Sequence, residues 1–115
     1  MSEYLVLIYD NEKAMEGAGE AAFNEMMAGH DAFGKQHGAS LRGGNALQPT
    51  VSATSLRRDP SGALQISDGP FVETKEALGG YYLIEAADLD EAIAIASAIP
   101  SLDGGVEIRP VQVFG

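Results

Sequence analysis

Cysteine and tryptophan are both absent from this 115-residue chain, and basic residues are scarce. Without cysteine there is no disulfide, no thiolate nucleophile and no thiolate metal site. This suits a reducing cytoplasm, the expected location. Only 7 Lys+Arg stand against 17 Asp+Glu, a formal charge of −10. Nucleic-acid binding needs a basic footprint. Arg57-Arg58 is the one basic pair, so no direct nucleic-acid partner is expected. Long apolar runs are missing as well. Tyr4–Tyr9 is far too short to span a membrane, and Met1-Ser2-Glu3 is acidic where a signal peptide is basic, so no membrane association is expected.

What remains is the composition of one folded domain, residues 1–115. Hydrophobic residues make up 45% of the chain, which argues against disorder. A chain of this length buries roughly 65% of its unfolded surface, enough for a modest core.

Tyr4-Leu5-Val6-Leu7-Ile8-Tyr9 has no polar face and predicts a strand covered on both sides. Asp10 to Gly19 reads as a loop. Glu20 to about Gln36 predicts the first helix, with Phe23, Met26, Met27, His30 and Phe33 on one stripe. His37-Gly38 ends it, glycine taking the C′ position. Ala39–Leu47 reads as a strand interrupted at Gly43-Gly44. Val51–Arg58 and Ala63–Ser67 predict a hairpin, because Asp59-Pro60-Ser61-Gly62 holds the residues of a type I turn. Gly80–Glu85 predicts another two-faced apolar strand. Asp88 and Glu91 make a capping box for a helix with Leu89, Ala92, Ile93, Ala96 and Ile99 on its buried stripe, ended by Pro100. Val106–Phe114 closes the chain as a strand whose alternation slips at Pro110.

The stretch Ser67–Ala86 concentrates the chemistry. Pro70 fixes the backbone, Gly69 tolerates the conformation a proline imposes on its predecessor, and Asp68 can close the turn through its own side chain. Asp68, Glu73, Lys75 and Glu76 crowd this corner, where close charges can shift one another's pKa values for acid–base work. The plainer account is a structural turn with a solvated charge cluster. Beyond Phe71 the chain is either extended or forms one helical turn, Lys75–Leu78, capped by Thr74 and stopped by Gly79. The helical turn is favoured, since Gly79-Gly80 makes a poor strand interior.

Asp68-Gly69-Pro70-Phe71, then Glu73-Thr74-Lys75-Glu76 and Gly79-Gly80-Tyr81-Tyr82, resembles the signature of the YCII-related family, DGPF subgroup. The opening strand, Gly43-Gly44 and Glu107-Ile108-Arg109-Pro110 extend the resemblance nearly end to end. It implies a ferredoxin-like α+β protomer of the dimeric α+β barrel type, pairing through its sheet, and no settled activity. Smaller relatives carry a histidine in the first helix and an aspartate proposed as an acid–base pair. His30 is in the first helix here. Genes for such proteins often lie beside those of extracytoplasmic-function sigma factors, which implies a sigma-factor-linked regulatory partner.

The element order predicts βαββαβ with an inserted hairpin and both helices on one sheet face, leaving the other face to be covered by a second protomer, the more economical answer, or in part by the hairpin. A homodimer is expected. Two functional classes follow. One is a small-molecule binder or acid–base enzyme-like domain, with Asp68, His30 and Glu73 as catalytic candidates and Phe71, Lys75, Tyr81 and Tyr82 contacting substrate. The other is a noncatalytic regulatory or interaction module. A histidine on an apolar stripe is commonly a core residue, and adjacent tyrosines on a strand commonly pack. His37, at a helix end, reads as a cap. No recognised ligand spacing supports a metal site at His30, Asp68, Glu73 and Glu76, and no phosphate loop is present. No cofactor is expected.

Overall fold

The computed structural model describes residues 1–101 and 103–115. A four-stranded antiparallel sheet forms its centre, in the spatial order β2, β5, β1, β6. These are Leu41–Ala46, Glu76–Ala86, Ser2–Asn11 and Gly105–Pro110 in turn. With helix α2 (Gly19–His37) and helix α3 (Leu89–Ala96) this is the ferredoxin-like α+β arrangement. A separate two-stranded ribbon, β3 (Thr54–Arg58) with β4 (Leu64–Asp68), is the insertion.

The core lies between one sheet face and the helices. Tyr4, Val6 and Ile8 of β1 and Ile84 and Ala86 of β5 pack against Phe33, Ala92, Ile95, Ala96 and Ile99. Strand alternation sends Leu5, Leu7, Tyr81 and Leu83 to the other face, where they are half-buried. The helix stripes differ in phase from the sequence expectation. In α3, Ile95 is buried while Leu89 and Ile93 are about half exposed, because the alanines at 92 and 96 are what the sheet approaches closely. In α2 only Phe33 is fully buried, and Phe23 and Met27 stand out past the core.

Five local expectations need correction. Asp10–Gly19 is not all loop: Asn11 caps a short helix, α1 (Glu12–Gly17), by accepting from the Ala14 N–H at 3.1 Å. Gly38 lies in the right-handed helical region and leads into a 3₁₀ turn, so it is not a left-handed C′ glycine. His37 makes no side-chain cap there and instead lies 5.4 Å from the Phe33 ring. The last strand stops at Pro110 instead of running to Phe114.

The fifth correction concerns Lys75–Leu78. There is no helical turn here. β5 begins at Glu76, and the Thr74 hydroxyl donates to the Glu76 carbonyl instead of capping a helix. Gly79 and Gly80 therefore lie inside a central strand. Pairing on both flanks, with β1 and β2, outweighs the weak strand preference of glycine. The register against β1 slips at Gly79, which is the extra residue of a bulge: Ile8 faces Gly80 and Tyr9 faces Leu78.

The ribbon turn forms as its residues dictate. The Gly62 N–H donates to the Asp59 carbonyl at 2.9 Å, and Gly62 sits at φ +89°. Ser61 and Ala63 donate to the Asp59 carboxylate, and those bonds, led by the Ser61 hydroxyl, hold its pKa below the usual carboxylate value. Among the described residues no helix is long and apolar enough to cross a membrane.

Candidate functional site

The buried stripe of β1 runs Tyr4, Val6, Ile8 and then, in the same phase, Asp10. Beside Ile8 on the helix side lies Gly80, whose missing side chain leaves room between sheet and helix. Gly44, on β2, holds the next gap open: a Cβ there would lie 2.7 Å from Tyr82 Cδ1 and 2.8 Å from the Tyr81 carbonyl. The result is a cavity of about 420 Å³. Ile8, Met15, Phe23, Met27 and Leu47 form much of its apolar wall, and Asp10, His30 and Tyr82 bring polar atoms to it. No lysine or arginine lines it.

His30 Nδ1 and the Tyr82 hydroxyl are hydrogen-bonded at 2.7 Å. Phe33 packs against Tyr82 with ring centroids 4.9 Å apart and fixes it from the core side. Burial lowers the pKa of His30, and the negative charge of Asp10 opposes that shift without cancelling it. Burial raises the pKa of Tyr82. At neutral pH the pair is therefore a neutral imidazole and a neutral phenol. Asp10 Oδ1 is buried and has no hydrogen-bond partner among the described residues. Its other oxygen lies over Gly79, where an added Cβ would come within 3.3 Å of it. The bulge glycine makes space for this carboxylate.

Asp68 and Glu73 line a different cavity, also of about 420 Å³, with Thr50, Val51, Gly69, Pro70, Val72, Thr74 and Ala77. His30 and the tyrosines are not on its walls. Both carboxylates are exposed. Phe71 is exposed too and lies under the Arg57 guanidinium, 4.1 Å from the ring centre. Lys75 is exposed and lines neither cavity. Tyr81 borders the His30 cavity but sends its hydroxyl to the far side of the sheet, where it accepts from Asn45 Nδ2 at 2.9 Å. The structure thus gathers His30 and Tyr82 from the sequence candidates and sets Asp68, Glu73, Phe71 and Lys75 apart from them.

Asp10 escaped the sequence reading, although its signal was there. A charged residue two positions beyond a run of inward-facing strand residues shares their face, and an apolar stripe that ends in a carboxylate points it at the interior. A smaller cavity of about 140 Å³ adjoins on the outer side, lined by Asp10 with Glu12, Glu16 and Pro49 among others. Glu12 is occupied there: it accepts from the Thr50 N–H at 2.8 Å and the Thr50 hydroxyl at 2.7 Å. Among the described residues no three His, Cys, Asp or Glu side chains are placed to hold a metal ion.

Comparison with known proteins agrees with this architecture. A YCII-related domain is matched over residues 2–115. An uncharacterized protein of Rhizobium meliloti (strain 1021) is 35% identical over 117 residues, covering 96% of this chain and 93% of the relative. With a domain match across nearly every residue and a relative alike from end to end, the chain belongs to the YCII-related family.

Proposed function

We propose that this protein binds a small organic molecule in the His30 cavity and exchanges a proton with it through the imidazole. One observation carries the reading: a hydrogen-bonded His30–Tyr82 pair and the carboxylate residue Asp10 line one largely apolar cavity. Neutral His30 is in the form that accepts a proton. In the tautomer this needs, Nδ1–H donates to the Tyr82 oxygen and Nε2 is left bare to accept the proton from the ligand. As the imidazolium forms, the negative charge of Asp10 favours it. A fragment screen by thermal shift, with hits mapped through the His30 imidazole NMR signals, tests this. Hits should move those signals, and His30→Gln should fold with stability within about 1 kcal/mol of wild type yet lose the response. Hits that cluster at Asp68 and leave His30 unmoved would transfer the site to that corner.

The same reading takes two protomers to pair through the open sheet face. The accessible surface is 7927 Å², against roughly 6,000 Å² for a compact monomer of this mass. The radius of gyration is 16.3 Å, against about 13 Å for a compact chain near this length. Leu5, Leu7, Tyr81 and Leu83 supply an apolar centre for the contact. Light scattering should give twice 12.0 kDa. A stable monomer at micromolar concentration rules this out.

A second reading, a noncatalytic module with a sigma-factor-linked partner, is favoured by the ribbon. Leu56 and Ile66 face each other across its strands and are both more than half exposed. Recovery of one stoichiometric protein partner by the wild-type chain, lost with Leu56→Ser/Ile66→Ser, would support it.

A further inference from the structure

We infer that the molecule taken by the His30 cavity is a small organic cation, an ammonium group on an apolar or aromatic body. The inference rests on the His30 cavity being the binding site. Asp10 is the one acidic side chain among its described lining residues, and no lysine or arginine accompanies it. Among the described residues none donates a hydrogen bond to Oδ1. A carboxylate half withdrawn from water without a counter-charge is costly, and a partner of opposite charge arriving from outside relieves that cost.

His30 does not fill that role at rest, because burial outweighs the pull of Asp10 and keeps the ring uncharged. The adjoining cavity brings no cation to Asp10 among its described lining residues, which include Glu12 and Glu16. The field at this end of the sheet is therefore negative, within a chain of formal charge −10 that draws cations toward it. The remaining walls suit an organic body. Phe23 and Met27, 57% and 53% exposed, add apolar surface to its lining. The Tyr82 and Phe23 rings add faces that favour a cation. A bare metal ion fits less well, since no third ligand is in place among the described residues.

Charge accounting follows directly. With the ammonium bound, Asp10 has its partner. If the ligand's N–H proton passes to His30 Nε2, one N–H bond breaks and another forms, the amine becomes neutral, and the imidazolium becomes the counter-charge. Asp10 is paired before and after.

Three probes of nearly equal shape test this: benzylamine, benzyl alcohol and benzoate, titrated into the full chain at pH 7.5 with His30 and Tyr82 observed by NMR. Benzylamine should bind at least about tenfold more tightly than benzyl alcohol, and benzoate most weakly. The preference should persist in about 0.3 M salt, which screens attraction to the acidic surface but not to a buried carboxylate. Asp10→Asn should reduce it to within about threefold, while Asp68→Asn should leave it unchanged. The wild-type ranking decides the matter even if Asp10→Asn does not fold. Equal or better binding of the alcohol or benzoate at His30 overturns the cation while keeping the site. An amine preference that survives Asp10→Asn, or vanishes in salt, overturns the role of Asp10. If none of the three moves His30 or Tyr82, both the cation and the site fall.

Discussion

The His30 cavity and the Asp68 corner enclose the same volume, about 420 Å³, and are built in opposite ways. The corner has charge in abundance, with Asp68, Glu73, Lys75 and Glu76 within nine residues, all of them exposed. The cavity has one carboxylate and one imidazole, both drawn in by packing. Water at the corner screens each charge from its neighbours, so crowding along the chain produces little electrostatic work. In the cavity a few apolar residues remove the water, and two groups suffice to shift a pKa. Desolvation, not the density of ionisable residues, distinguishes the two regions.

Two phenylalanines give the widest separation. Phe33 is 1% exposed and braces Tyr82, whereas Phe71 is 59% exposed under Arg57. Phe33→Ala should cost about 3–5 kcal/mol in urea unfolding and loosen the His30–Tyr82 pair. Phe71→Ala should cost less than about 1 kcal/mol. Similar losses from both would mean that the corner is packed in solution, by a second protomer or by another partner.

Hydrogen bonds should divide in the same way, on a smaller scale. Tyr82→Phe leaves the half-buried His30 Nδ1 without its partner and should cost about 1–2 kcal/mol. Asp68→Asn changes an exposed side chain and should stay within about 0.5 kcal/mol of wild type, with ligand response at His30 intact. Loss of binding in Asp68→Asn at unchanged stability would return the corner to the site.

The ribbon turn, remote from the cavity, depends on backbone conformation alone. Gly62 has open space around its Cα, so a larger residue meets no clash and only the φ of +89° resists it. Gly62→Val should cost about 1 kcal/mol or more, with no change in the His30 signals. An unaffected denaturation midpoint would show that the turn adapts without strain.

Local rules made much of this fold legible. The two-faced apolar run Tyr4–Tyr9, the Asp88–Glu91 cap and the Asp59–Gly62 turn each depend on residues close in sequence, and each forms. What escaped is what tertiary pairing decides. Gly79-Gly80 looks like a strand breaker until β1 and β2 are seen on either side of it. Asp10 looks like the start of a loop because charge usually ends a strand, while its side follows from the phase of Ile8. His30 and Tyr82 are visible as residues, but their meeting depends on how α2 crosses β5. The corner is the opposite case: its charges are dense along the chain and open to water in the fold.

The smallest effect is one of pH, and its sign is fixed by the cavity. His30 has a lowered pKa in the fold, so the folded chain binds its proton less readily than the unfolded one, where histidine titrates near 6.5. Stability is then fully present above about pH 6.5 and declines as pH falls below it, levelling off beneath the folded-state value. Asp59, also lowered, loses its contribution only in the more acidic carboxylate range, so the two windows separate. Urea midpoints at pH 7.5 and 5.5 for wild type and His30→Gln isolate the histidine: wild type should lose more on acidification. Asp10 and Tyr82 are the groups that face the ring from the sheet, and of these Asp10 raises its pKa. Asp10→Asn should therefore depress His30 further and deepen the acid loss. If wild type instead gains on His30→Gln as pH falls, the imidazole is charged in the fold, Asp10 already has its counter-ion, and the cavity has no electrostatic need of an external cation.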